Sequence, residues 1–108
     1  YTPFLRLRFP TQNIDFRVTM RRVTCFFSGR VQGVGFRFHT KEVAKKFSVQ
    51  GTVQNLDDGR VKVVAEGEKD EIHRFLDAVS QSMTGNVKGD ERFESDASSE
   101  FESFVALW

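Results

Sequence analysis

From Val23 onward the apolar positions alternate between two periods. Val23, Cys25 and Phe27 alternate with Thr24 and Ser28, the spacing of a strand buried on one face, and Phe26 points to partial cover on the other. Phe36, Thr40, Val43, Ala44 and Phe47 fall in one stripe when wound on a helix, which predicts a helix over 35–47. Val49, Gly51 and Val53 restart the two-residue period, Asp58-Gly59 supplies a turn, and Val61, Val63 and Ala65 resume it, so 49–66 is predicted to be a hairpin closed by Gly67. Glu68, Asp70 and Glu71 then gather where a helix would begin, and Ile72, Phe75, Leu76, Val79 and Met83 give that helix its apolar stripe.

Beyond Met83 the pattern weakens. Val87 and Phe93 alternate loosely within 85–94, a polar and acidic loop follows through Ser99, and 101–108 has the composition of a last strand. The predicted order is β-α-β-β-α-β, with a possible split of the fourth strand. It defines an α+β, ferredoxin-like sandwich, an antiparallel sheet with two helices on one face. One domain, residues 22–108, is expected, preceded by a basic extension, residues 1–21. The first 22 residues hold five arginines against Asp15 alone, a composition that fits a basic arm, or leader residues upstream of a start at Met20. Leu5/Leu7/Phe9 and Ile14/Phe16/Val18 also alternate across Pro10–Asn13, the pattern of an added hairpin.

Composition changes this picture in three places. Sixteen basic and fifteen acidic residues leave a net charge of +1, so anion binding has to be local and no nucleic-acid partner is expected. Twelve phenylalanines supply the apolar area a small domain needs. Cys25 is the only cysteine, which excludes an intrachain disulfide and favours a reducing compartment such as the cytoplasm. No apolar run approaches the ~20 residues that span a bilayer, so no membrane association is expected.

The stretch Ser28-Gly-Arg-Val-Gln-Gly-Val-Gly-Phe-Arg37 lies between the first strand and the first helix. A loop entering a helix directs several backbone N–H groups into one concavity, beside the positive end of the helix dipole. Gly29, Gly33 and Gly35 permit positive φ and leave room for an anion to approach. Arg37, in the first helical turn, is placed to grip phosphate oxygens with two parallel hydrogen bonds. A plain tight turn and a solvated arginine account for the same spacing. Phe36 and Arg37 after Gly35 exclude a Walker A loop, and Phe38 excludes a dinucleotide fingerprint. Cys25, in phase with Val23 and Phe27, is expected in the core rather than as a nucleophile.

The segments 29–37 (GRVQGVGFR), 51–59 (GTVQNLDDG) and 63–67 (VVAEG) closely resemble the acylphosphatase family, over about four-fifths of the chain. That resemblance implies a ferredoxin-like hydrolase that cleaves acyl phosphates to carboxylate and inorganic phosphate, with no metal, no cofactor and no phosphoenzyme. It places the phosphate in the loop Arg30, Val31, Gln32, Gly33, Val34, Gly35, Phe36 and Arg37. Arg37 and Asn55 take the catalytic roles, Arg37 binding the phosphoryl group and Asn55 orienting the attacking water. A monomer is expected.

The residue pattern is compatible with those roles. Asn55 continues the face that carries Val49 and Val53, where an amide needs partners, although an asparagine ending a strand is more often a turn former. No His/Asp pair or metal-ligand cluster lies near the loop, and a mixed anhydride needs little help: its leaving carboxylate, with a conjugate acid of pKa about 4, departs unprotonated at neutral pH. His39 and His73 are expected on helix surfaces, and the acidic run 90–102 on a solvent-facing loop and strand edge. Two rivals share the element order. An RNA-recognition module would need its aromatic signature on a central strand, whereas Gly33–Phe38 opens a helix; a non-catalytic phosphometabolite-binding domain would be expected inside a longer enzyme.

Overall fold

The computed structural model describes residues 20–108. The hairpin and leader readings of the N-terminal residues therefore lie outside the described residues. Five strands and two helices follow in the order β1 (Met20–Gly29), α1 (Phe36–Ala44), β2 (Val49–Asn55), β3 (Val61–Glu68), α2 (Lys69–Ser82), β4 (Val87–Asp96) and β5 (Phe104–Leu107). They form one sheet in the order β4-β1-β3-β2-β5, with both helices packed on it. Three of its pairings are antiparallel. The departure from the expected antiparallel sheet is β5, which lies parallel to β2, Val53 facing Ala106.

Val23, Cys25 and Phe27 of β1, Val61, Val63 and Ala65 of β3 and Val53 of β2 face the helices and are buried. Helix α2 answers with Ile72, Phe75, Leu76 and Val79, all fully buried. Its start is capped as the acidic cluster predicts, the Glu68 side chain accepting from the Glu71 N–H at 3.0 Å, with Asp70 and Glu71 in the first turn. Helix α1 buries Phe36, Thr40 and Ala44; Thr40 donates its hydroxyl hydrogen to the Phe36 carbonyl at 2.8 Å, which satisfies that buried hydroxyl. This helix ends at Ala44 rather than Phe47. Lys45, Lys46 and Phe47 close it with tighter three-residue bonds to Glu42, Val43 and Ala44, which still carries Phe47 against Phe75.

Strand β4 extends two residues into the stretch expected to be loop, and β5 begins three residues later than expected. Arg21 explains the first difference: facing Asp96 in register, it bonds both Glu94 and Asp96. The segment 97–103 then carries the chain from one edge of the sheet to the other. Glu66 fastens it. This carboxylate, 3% exposed, accepts from the Ser98 N–H and hydroxyl, the Ser99 N–H and Arg22 Nε, at 2.8–2.9 Å. Burial alone would raise its pKa; the two serine residues and Arg22 outweigh that and hold it below the ordinary carboxylate range.

Candidate active site

Because β1 and β2 both run antiparallel to β3, and β5 runs parallel to β2, the carboxyl ends of β1, β2 and β5 share one end of the sheet. Three pieces converge there: the loop 30–35 leaving β1, Asn55 closing β2, and Leu107 with Trp108 closing β5. They enclose a cavity of about 120 Å³.

The loop's glycines have a local reason. Gly33 and Gly35 adopt φ of +76° and +78°, a left-handed backbone that side chains other than glycine's take at a cost, and a Cβ at either would project into open space. Gly35 is also the cap of α1, and no side chain caps that helix start. The N–H groups from Val31 to Phe38 accordingly find no protein acceptor among the described residues. These donors, with the positive end of α1, make the cavity wall electropositive.

Other contacts hold the loop in shape. Val31 is fully buried. Gln32 Nε2 donates to the Leu56 and Arg60 carbonyls at 2.7 and 2.9 Å, tying the loop to the β2–β3 turn just beyond Asn55. The Arg30 N–H donates to the Asn86 carbonyl, and Asn86 Nδ2 returns a bond to the Arg30 carbonyl.

Of the residues proposed from the sequence, Val31, Gly33, Gly35, Phe36, Arg37 and Asn55 line the cavity, while Arg30, Gln32 and Val34 do not. Arg30 has committed its amide to Asn86 and Gln32 its side chain to the neighbouring turn. Arg37 Nη1 donates to the Leu107 carbonyl at 3.1 Å, and its guanidinium carbon sits 3.6 Å from the Trp108 ring centroid. No ion pair to Arg37 occurs among the described residues, and no Asp or Glu side chain is among the residues that line the cavity. Asn55 lines the cavity too, and its Oδ1 is buried and accepts no hydrogen bond among the described residues. Such an oxygen needs a donor.

Two lining residues, Phe38 and Trp108, escaped the sequence reading. Phe38 carried a readable signal, an aromatic on the polar side of an amphipathic helix beside the proposed ligand. Trp108 carried none, because its position follows from the parallel pairing of β5.

The remaining candidates lie elsewhere. Cys25 is fully buried on β1 and donates to Asp90 Oδ1 at 3.2 Å; burial and the Asp90 charge push its thiol far above the usual range. His73 Nδ1 and Arg92 are 2.9 Å apart, and His39 Nε2 and Ser82 Oγ are 2.5 Å apart; both histidines are half-buried rather than free on the surface. A larger hollow of about 390 Å³ lies at the other end of the sheet, but Glu66 and Glu68 line it, which makes it unsuited to an anion.

The fold and the site define a ferredoxin-like α+β domain with an anion-suited cavity at a loop–helix junction. Comparison with known proteins narrows this: residues 23–106 match the acylphosphatase family model. The acylphosphatase of Lactiplantibacillus plantarum is 54% identical over 71 residues, spanning 64% of this chain and 79% of that protein. That of Thermotoga maritima is 38% identical over 86 residues, 80% of this chain and 96% of its own. The crystal structure of acylphosphatase from Bacillus subtilis superimposes with a TM-score of 0.75 at 34% identity, covering 82% of this chain and 99% of that one. The chain belongs to the acylphosphatase family.

Proposed function

We propose that this protein hydrolyses acyl phosphates by direct attack of water on a phosphoryl group seated in the cavity between loop 30–35 and Asn55. One observation carries this reading: Arg37, the loop with its uncommitted amides and Asn55, whose buried Oδ1 has no donor among the described residues, line the same small cavity, with no Asp or Glu side chain among its lining. Arg37 and the N–H groups between Val31 and Phe36 hold the non-bridging oxygens, where each charge-assisted bond is worth about 1.5–3 kcal/mol. Asn55 Oδ1 accepts a hydrogen from water and its NH₂ group donates, which keeps the nucleophile in line with phosphorus.

As the water oxygen bonds to phosphorus, the bond to the acyl oxygen breaks. The carboxylate leaves with that electron pair, and the water proton passes to the phosphate product or to solvent. The departing group is a weak base, so no general acid is required. Preorganised donors and water placement supply the acceleration, as expected for a loose phosphoryl-transfer transition state.

The test is hydrolysis of benzoyl phosphate by the purified protein in EDTA. Activity is expected to persist, and its loss on chelation would contradict a mechanism without a metal. Asn55→Ala should lower kcat by about 10²- to 10³-fold, as removal of a transition-state donor does. Full turnover in that variant, with the fold intact, would remove Asn55 from the mechanism.

A further inference from the structure

We infer that Phe38 and Trp108 form an apolar subsite for the acyl group, so that the enzyme selects acyl phosphates with aromatic or bulky apolar acyl chains over short ones. This deepens the reading above and rests on it. Both side chains line the Arg37/Asn55 cavity, yet Phe38 is 62% and Trp108 83% exposed, among the most exposed large apolar side chains described. A cavity of about 120 Å³ is well below the ~300–1,000 Å³ of pockets that enclose a whole small molecule. It suits the phosphoryl end and its water, and a bulky acyl chain has to leave through the mouth.

At that mouth it meets two aromatic rings. Phe38 follows Arg37 directly on α1, and Trp108 reaches the same cavity from the end of β5. The Arg37 guanidinium carbon sits 3.6 Å from the Trp108 ring centroid and its Nη1 donates to the Leu107 carbonyl, which braces the indole before any substrate arrives. A fixed ring loses little conformational freedom on binding, which favours stacking by a planar acyl group. An acetyl group is too small to cover either ring.

The readout is the ratio of kcat/KM for benzoyl phosphate to that for acetyl phosphate. Phe38→Ala and Trp108→Ala should each lower this ratio by about 3- to 10-fold, the scale of an aromatic pair. Phe38→Tyr, which keeps the ring, should hold the ratio near wild type. Phe38 is largely exposed, so its substitution leaves the core untouched, and circular dichroism checks this. An unmoved ratio in both alanine variants overturns the subsite, as does an equal fall on both substrates, which would place the rings' role in positioning Arg37. Wild-type protein inert towards both acyl phosphates would instead remove the proposed function, and the subsite with it.

Discussion

Arg37 does three things that no other basic side chain could combine: its guanidinium sits over an indole, donates to a backbone carbonyl, and belongs to a residue that lines the cavity. Stacking and two-pronged bonding both need the planar guanidinium. Arg37→Lys keeps the charge and loses both, so inhibition by inorganic phosphate should weaken by about 10- to 100-fold. Wild-type affinity in that variant would mean that only a point charge matters. Local pattern made Arg37 and Asn55 candidates, Arg37 by its place in the first turn after the glycines and Asn55 by its phase with Val53, while a solvated arginine and a turn former fitted the same pattern and the family resemblance supplied their roles. Asn55's orphaned oxygen was not legible, because its burial depends on loop 30–35 folding over the end of β2.

The loop 30–35 and α1 act as one element, joined at Gly35. The alanine methyl of Gly35→Ala would meet no atom, so the penalty is conformational, about 1 kcal/mol or more for a side chain held at positive φ. If the loop relaxes instead of bearing that strain, its amides lose their common direction. Urea unfolding should therefore show only the small stability loss, while affinity for phosphate falls more than this loss accounts for; affinity unchanged at reduced stability would show the loop to be tolerant. Elements with one apolar face were predictable in the same local terms, β1 from Val23/Cys25/Phe27 and α2 from its stripe. Strand β4 was harder because it is a largely exposed edge strand, held to β1 by its backbone ladder with few apolar anchors, Val87 against the core and Phe93 against Phe26. The direction of β5 depends on Glu66 capturing segment 97–103 from the far side of the sheet. A glutamate between Val64 and Glu68 has the look of a solvated position, and only the long-range return of the chain buries it.

Across the molecule, the carboxylates of Asp58, Glu66, Glu71, Asp90, Glu94 and Glu100 all titrate below their ordinary range. Each binds its proton more weakly in the folded chain than in the unfolded one, so the stability it contributes is present above the unfolded pKa of about 4 and is lost as pH falls through the folded value. The exposed pairs on Glu94, Glu71 and Glu100 are screened by water and salt and contribute little. Glu66 and Asp90 dominate: burial opposes both, and both are held ionised, Glu66 by the Ser98 and Ser99 amides and Arg22, Asp90 by Arg92 and the Cys25 thiol. Urea unfolding midpoints should therefore hold between pH 7 and 5 and fall as pH drops below the unfolded carboxylate value of about 4, with little relief from added salt. Glu66→Gln should cost about 1–3 kcal/mol at pH 7, because Arg22 and the serine amides lose an ionised acceptor. Since the wild-type carboxylate is itself protonated once pH falls below its depressed folded value, the two stability curves should converge in acid. Parallel curves across that range would show that Glu66 contributes packing alone, and that the crossing segment, and with it Trp108 beside Arg37, is held in place by something other than this buried charge.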